Sequence, residues 1–347
     1  MRRLVLVVVL VMAGAACGGR GPGAPAARAA DGWRAGTDPA AVSVRAPGGR
    51  VERYPATRPA GLRWSPGGAF LAWVTATGVT RLDLASGREA TWAGPFSGAG
   101  FTSAGLLALG PDQVHVLTPG QPPAPHPVDL PADAEPGPLG SVADGLLVAA
   151  ASAPAASGGP QSVFLVAADG TTRRLLDGDA GPEGEVTNVP VSVPAVRDGT
   201  LAYATGGRSG RCGASYRVHL LDTGTGRDTP VAMPDPEGPD RAWVVRSLAW
   251  GGDGMLTTVL ASIPAGGVCA SEPVSPSVWR LERTRWVRQD RQGLLAAPGP
   301  GGRLALVAGR VTDQGEVLGN RELVLIGPDG TRQPLGRGVL ELLWAPA

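Results

Sequence analysis

Few residues of this chain have both the type and the spacing that chemistry needs. The three His residues, His115, His126 and His219, fall in different stretches, and no H-E-x-x-H zinc pair or G-x-S-x-G nucleophile turn occurs. All 31 basic residues are Arg, which excludes Schiff-base and phosphate-loop lysine chemistry. Carboxylates are more suggestive because they concentrate in three segments: Asp129, Asp133 and Glu135; Asp177, Asp179, Glu183 and Glu185; Asp235, Glu237 and Asp240. The stretch from Asp177 to Glu185 offers several oxygens to a hard cation such as Ca²⁺. It lacks EF-hand spacing, and a solvated acidic loop is the plainer reading. Arg208, Arg211 and Arg310 could pair with these acids or hold an anionic ligand. No catalytic residue, metal or cofactor is expected, and a net charge of +1 gives no reason to expect a nucleic-acid partner.

The cysteines are Cys17, Cys212 and Cys269. Cys17 follows a charged start (Met1-Arg2-Arg3), a ten-residue apolar run from Leu4 to Ala13, and the small residues Gly14-Ala15-Ala16. Ten residues at about 1.5 Å each cannot span a bilayer core of about 30 Å, so the segment reads as a signal peptide over 1–16. With Cys at the first position after the cut, the site resembles a bacterial lipobox, with Gly14 where Leu is usual. That resemblance implies a diacylglyceryl group on Cys17 and an acyl chain such as palmitate on the new N-terminus. Residues 17–40, rich in Gly, Pro, Ala and Arg and without periodicity, then read as anchor and flexible tether. The chain is expected on the outer face of the cytoplasmic membrane, with plain secretion as the alternative.

The rest must position whatever chemistry there is. Gly (53) and Pro (34) make up about a quarter of the 347 residues, yet 43% are hydrophobic and fall in short runs. Such a chain has apolar surface to bury and many turns, which argues for short strands and against a helical bundle. One phrase recurs: Leu62-Arg63-Trp64-Ser65-Pro66-Gly67-Gly68, Leu248-Ala249-Trp250-Gly251-Gly252-Asp253-Gly254 and Leu342-Leu343-Trp344-Ala345-Pro346. After each complete copy come an apolar strand, then two alternating strands joined by a turn such as Ser86-Gly87, Asp169-Gly170 or Asp329-Gly330. The turn glycines at 68, 105, 145, 199, 254 and 302 are spaced by 37, 40, 54, 55 and 48 residues. A four-stranded unit repeated at about this period is the signature of an all-β propeller. Six complete units are legible over 41–347. The segments 41–54 and 339–344 add strands at the two ends that would share one more blade and close the ring. Seven blades is therefore the first reading and six the alternative.

Trp64-Ser65-Pro66-Gly67-Gly68 and Asp83-Leu84-Ala85-Ser86-Gly87 are similar to the blade motifs of bacterial WD-like propellers of the TolB type. That resemblance implies the fold and leaves the function open, because propellers host many functions.

Within each unit the connections between strands two and three, and between one unit and the next, are the long ones. They should share a face that carries function. Cys212 and Cys269 would lie in neighbouring loops there. In an oxidising compartment a disulfide is the natural reading, with free thiols as the alternative. Closing 57 residues would stabilise the fold by about 4 kcal/mol in the chain-entropy model. The function expected is that of a monomeric, non-enzymatic binding or scaffolding protein of the cell envelope, facing a protein, peptide or glycan. The alternative is an envelope enzyme (hydrolase, lyase or cyclase) using carboxylates and Arg on that face.

Overall fold

The computed structural model describes residues 34–38, 40–46, 50–131, 136–151, 161–177, 192–209, 213–238, 241–264, 274–311, 317–337 and 343–344. They form an all-β propeller of four-stranded antiparallel blades. Strands β1 (Arg34–Asp38), β2 (Ala41–Arg45) and β3 (Val51–Pro55) come first. Six blades of consecutive strands follow. The first blade is β4 (Ala60–Trp64), β5 (Phe70–Thr75), β6 (Gly78–Asp83) and β7 (Glu89–Ala93). The second is β8 (Gly98–Thr102), β9 (Gly105–Leu109), β10 (Gln113–Leu117) and β11 (Ala124–Pro127). The third is β12 (Pro136–Val142), β13 (Gly145–Ala151), β14 (Gln161–Val166) and β15 (Thr172–Leu176). The fourth is β16 (Ser192–Arg197), β17 (Thr200–Ser209), β18 (Gly213–Asp222) and β19 (Asp228–Val231). The fifth is β20 (Arg241–Trp250), β21 (Leu256–Pro264), β22 (Ser277–Glu282) and β23 (Arg285–Gln292). The sixth is β24 (Leu295–Pro298), β25 (Leu304–Val311), β26 (Val317–Ile326) and β27 (Arg332–Arg337). Last comes β28 (Leu343–Trp344), which pairs with β1 to give a further four-stranded sheet in the order β28-β1-β2-β3.

The ends differ from the sequence expectation. The segment 17–40 reads as tether, but 34–38 within it is β1, paired along its whole length with β2. The N-terminal region thus supplies three strands of the shared sheet rather than two, and the ordered domain reaches back at least to Arg34. Sequence reading missed β1 because Arg-Ala-Gly-Thr-Asp has no apolar alternation.

Both faces of most blades are covered, and each apolar cluster lies between two consecutive sheets. Val42 and Val44 of the shared sheet meet Leu62, Leu71 and Trp73 of the first blade. Leu107 and Val114 of the second meet Leu146 and Val148 of the third, and Ala202 and Val218 of the fourth meet Trp243 and Leu260 of the fifth. Trp344 packs against the cluster joining the fifth and sixth blades. The inner strands of consecutive blades are neighbours around the axis. Arg63 of the first blade reaches Leu139 O of the third (3.4 Å), so it passes the second blade.

The turn after each inner strand fixes the ring. Gly68 (φ 66°) and Gly254 (φ 79°) take left-handed backbone that a side chain would strain. Trp250 donates its indole N–H to Ala195 O of the preceding blade (3.1 Å), and Trp344 donates to Ala297 O (2.7 Å). Trp250 and Trp344 therefore tie the fifth blade and β28 to the inner strand before each.

Candidate functional site

The blades are not equal in length. Strands β17, β18 and β20 each run ten residues and β21 nine, against five or six for the first blade. The added residues lie opposite the Trp-Gly turn, on the face expected to carry function. There the overhang of the fifth blade meets the loop that follows β19. A cleft of about 270 Å³ results, lined by residues that include Glu237, Arg241, Trp243, Ser262, Arg288 and Gln292.

Trp243 is the base of this site. It is 3% exposed, donates its N–H to Pro234 O (2.6 Å), and so anchors the loop that carries Asp235 and Glu237. Its ring stands edge-on to Trp279 at 5.7 Å, and the Arg288 guanidinium lies 5.9 Å from the Trp279 centroid. Arg288 ion-pairs with Glu237, both about half exposed. Such a pair is worth about 0–1 kcal/mol. Arg241 donates through Nε to Ser262 Oγ (2.8 Å) and through Nη2 to Ser262 O (2.5 Å). Ser277 Oγ accepts from the Trp279 indole (2.8 Å). The cleft therefore offers two guanidiniums, one carboxylate and an aromatic floor. The Ser262 and Ser277 hydroxyls are engaged, and no imidazole lines the cleft to act as a base. The arrangement suits recognition of a polar or acidic group by directed hydrogen bonds.

The expected site residues separate. Glu237 lies in the cleft, and Asp235 is on the same loop, exposed. Asp177 lies outside the cleft, just past β15 of the third blade, paired with Arg174 Nη1 at 2.5 Å. Arg208 stands in a Gly-rich stretch, 206–216, that reads as a connection between strands two and three. It belongs instead to β17, its backbone opposite Ala214, because β17 and β18 continue as a hairpin to Ser209 and Gly213. Arg310 is likewise a residue of β25, opposite Leu318. Cys17, Asp179, Glu183, Glu185, Arg211, Cys212 and Cys269 lie outside the described residues. Arg241, Trp243 and Arg288 were missed. The signal for the first two was the apolar run upstream of Leu248-Ala249-Trp250, which lengthens the inner strand.

A second polar group sits inside the fourth blade. His219 Nδ1 and Asp228 Oδ2 are 2.8 Å apart, and the Tyr203 ring stacks on His219 at 5.1 Å. Tyr203 is buried at 1% exposure. Burial pushes its phenol well above the ordinary tyrosine range, and the Asp228 charge and hydrogen bond push it further. The three side chains come from adjacent strands, and Tyr203 belongs to the packed core, so they join β17, β18 and β19 of the blade. Among the described residues no group of three His, Cys, Asp or Glu side chains could hold a metal ion, and no helix is long and apolar enough to cross a membrane.

No protein-family model matches the chain, and neither does any curated protein. Solved structures do match it. AztD from Citrobacter koseri, in its apo form, aligns with TM-score 0.52 and 11% identity, covering 90% of this chain and 98% of that one. The β-propeller domain of the Trilobed protease from Pyrococcus furiosus, described as having an open velcro topology, aligns with TM-score 0.51 and 11% identity, covering 87% and 90%. A putative TolB from Agrobacterium tumefaciens aligns with TM-score 0.44 and 14% identity, covering 83% and 84%. The chain is a β-propeller. At these identities the likeness concerns the fold alone.

Proposed function

We propose that this chain is an exported, lipid-anchored binding or scaffolding protein of the cell envelope that works without catalysis. The ring counts seven blades on this reading, six complete and one shared by β28 with β1–β3. The four-stranded sheet joining these strands supports that count. The observation that carries the function is the cleft beside Trp243. Arg241, Arg288 and Glu237 line it with charge, Arg241 held by Ser262 and Arg288 by Glu237, and the Ser262 and Ser277 hydroxyls are engaged in the fold. A protein, peptide or glycan with acidic and hydrogen-bonding groups fits it. Cys17 bears the anchor, and Cys212 and Cys269 form a disulfide near the same face.

A pull-down from solubilised envelope tests the binding role. The partner captured by the wild-type chain should be lost with Arg241→Ala and weakened with Glu237→Ala. Retention by both variants would remove the cleft from the argument, and turnover of an envelope substrate by the purified chain would favour the enzyme alternative. Cys17→Ser should release the protein from membranes; unchanged fractionation would refute the anchor.

A further inference from the structure

β23 is the last strand of the fifth blade, and no strand among the described residues pairs with its outer edge. It runs eight residues, whereas the outer strands of the other sheets run four to six. An outer edge presents unpaired N–H and C=O groups, which proteins commonly guard with charge. The charge here leans one way, with Arg285, Arg288 and Arg291 against Asp290 in the sequence of the strand. Val287 among them is 40% exposed, one of two large hydrophobic residues so open among the described ones. A second cleft of about 270 Å³ opens on this strand, lined by Arg288, Gln289, Arg291 and Gln292. Arg288 and Gln292 also line the cleft beside Trp243, so the two clefts adjoin along β23. Gln292 pairs with Ser277 and Arg288 with Trp279, so four steps of β23 span two steps of β22. The residues between them form a bulge and leave the regular alternation. Arg291 Nη2 comes within 3.7 Å of where a β-carbon on Gly330 would stand, which puts the far end of the second cleft at the seam with the sixth blade. A guanidinium carries five N–H donors, so Arg288 can hold Glu237 and still offer donors to a ligand.

Resting on the binding role given above, we propose that the partner is a protein bearing an extended acidic segment, which lies beside β23 and sets its carboxylates in both clefts. A segment with acidic residues at alternate positions points carboxylates to one side about 7 Å apart, a repeat suited to two adjoining clefts. Guanidinium forks take carboxylates in bidentate pairs. The strand edge offers main-chain bonds to the segment, and the clefts select its side chains. Val287 would be covered by the added chain. A glycan fits less well, because sugar rings pack on open aromatic faces, and here Trp243 is buried and Arg288 lies over Trp279.

Fluorescence anisotropy of labelled octapeptides titrated with the full chain at physiological ionic strength tests the segment. A peptide alternating Glu and Thr should bind, and its counterpart with Gln for Glu should bind at least about tenfold more weakly. A peptide of the same composition with its Glu residues in one block should also bind more weakly. Arg288→Gln, at an exposed position, and Arg291→Gln should each weaken the alternating peptide about tenfold. No binding of the alternating peptide, equal affinity for the Gln or the block peptide, or an affinity unchanged in both variants overturns the proposal. Polygalacturonate binding that needs Arg288, with no peptide binding, also overturns it and assigns the groove to an acidic glycan. Capture of the envelope partner that is lost with Arg241→Ala but kept with Arg288→Gln and Arg291→Gln would leave the Trp243 cleft standing and remove the acidic segment. Capture kept with both Arg241→Ala and Glu237→Ala would remove the cleft, and the segment with it.

Discussion

The first blade and the fourth-and-fifth pair are built on one plan at two lengths. Trp64 and Trp250 each end an inner strand and precede a Gly turn, so the two blades are in register at that end. All the extra length of β20 lies at the other end, where Arg241 and Trp243 sit. At the turn end the fifth blade meets its neighbour in a fixed geometry, because the Trp250 indole bonds Ala195 O of the previous inner strand. The opposite end is under no such constraint, and a strand can grow there until it overhangs. The cleft is thus largely an elongation of the scaffold: Arg241, Trp243, Ser262 and Arg288 stand on strands, and the loop after β19 adds Glu237.

The largest effect expected from breaking this comparison is in the core. Trp73 is 1% exposed and packs only within the first blade and the shared sheet. Trp73→Ala should cost about 3–5 kcal/mol in urea unfolding. Trp243→Ala should cost a similar amount and, unlike Trp73→Ala, should speed hydrogen exchange over 234–237, because the indole that holds Pro234 is gone. Equal exchange in the two variants would sink the claim that Trp243 organises the cleft.

A second effect separates the blades by pH. Burial raises the folded-state pKa of Tyr203, with Asp228 adding to it. Its contribution to stability is therefore complete below the unfolded tyrosine value of about 10, and is lost at up to about 1.4 kcal/mol per unit as pH rises beyond it. Tyr203→Phe should flatten the alkaline decline measured by urea titration. Tyr54, at the edge of the first-blade core, is only half-buried, so Tyr54→Phe should flatten it less.

The smallest effect is the most discriminating. Trp250 has a hydrogen-bonded indole, whereas Trp64 Nε1 is buried with no partner. Trp250→Phe should therefore destabilise more than Trp64→Phe by about 1 kcal/mol, the usual net worth of one such bond. Equal costs would mean that the repeated Trp acts through packing alone.

The repeat was readable because its physics is local. The turn glycines at 68 and 254 need left-handed backbone, and Asp-Gly and Ser-Gly turns sit between alternating strands, so phrase and fold coincide. The ends were partly legible: the strand at 41–45 alternates and was found, while β1 has no apolar alternation and takes its place from its pairing with β2 and β28. For the cleft, sequence singled out Glu237, which lies in it. It missed Arg241, Trp243 and Arg288, because their meeting depends on how far β20 extends and on a contact between blades, neither of which has a local signature. Arg208 shows the reverse error. A Gly-rich stretch reads as loop, yet the ladder from Gly206 to Ser209 continues because Gly does not forbid pairing.

The joint between β28 and β1 bears on how the chain comes to be folded at all. It consists of two residue pairs, Arg34 with Trp344 and Ala35 with Leu343, and it sits between the most distant strands of the sequence. Gly299 leaves the Trp344 ring a seat that any β-carbon would occupy. During synthesis, β1, β2 and β3 emerge before the six blades and must wait, one edge bare, while those are made and stacked beside them. Contacts so remote form late. β28 is thus the keystone, and until it arrives the half-built arch is at its most vulnerable to sticking to its neighbours.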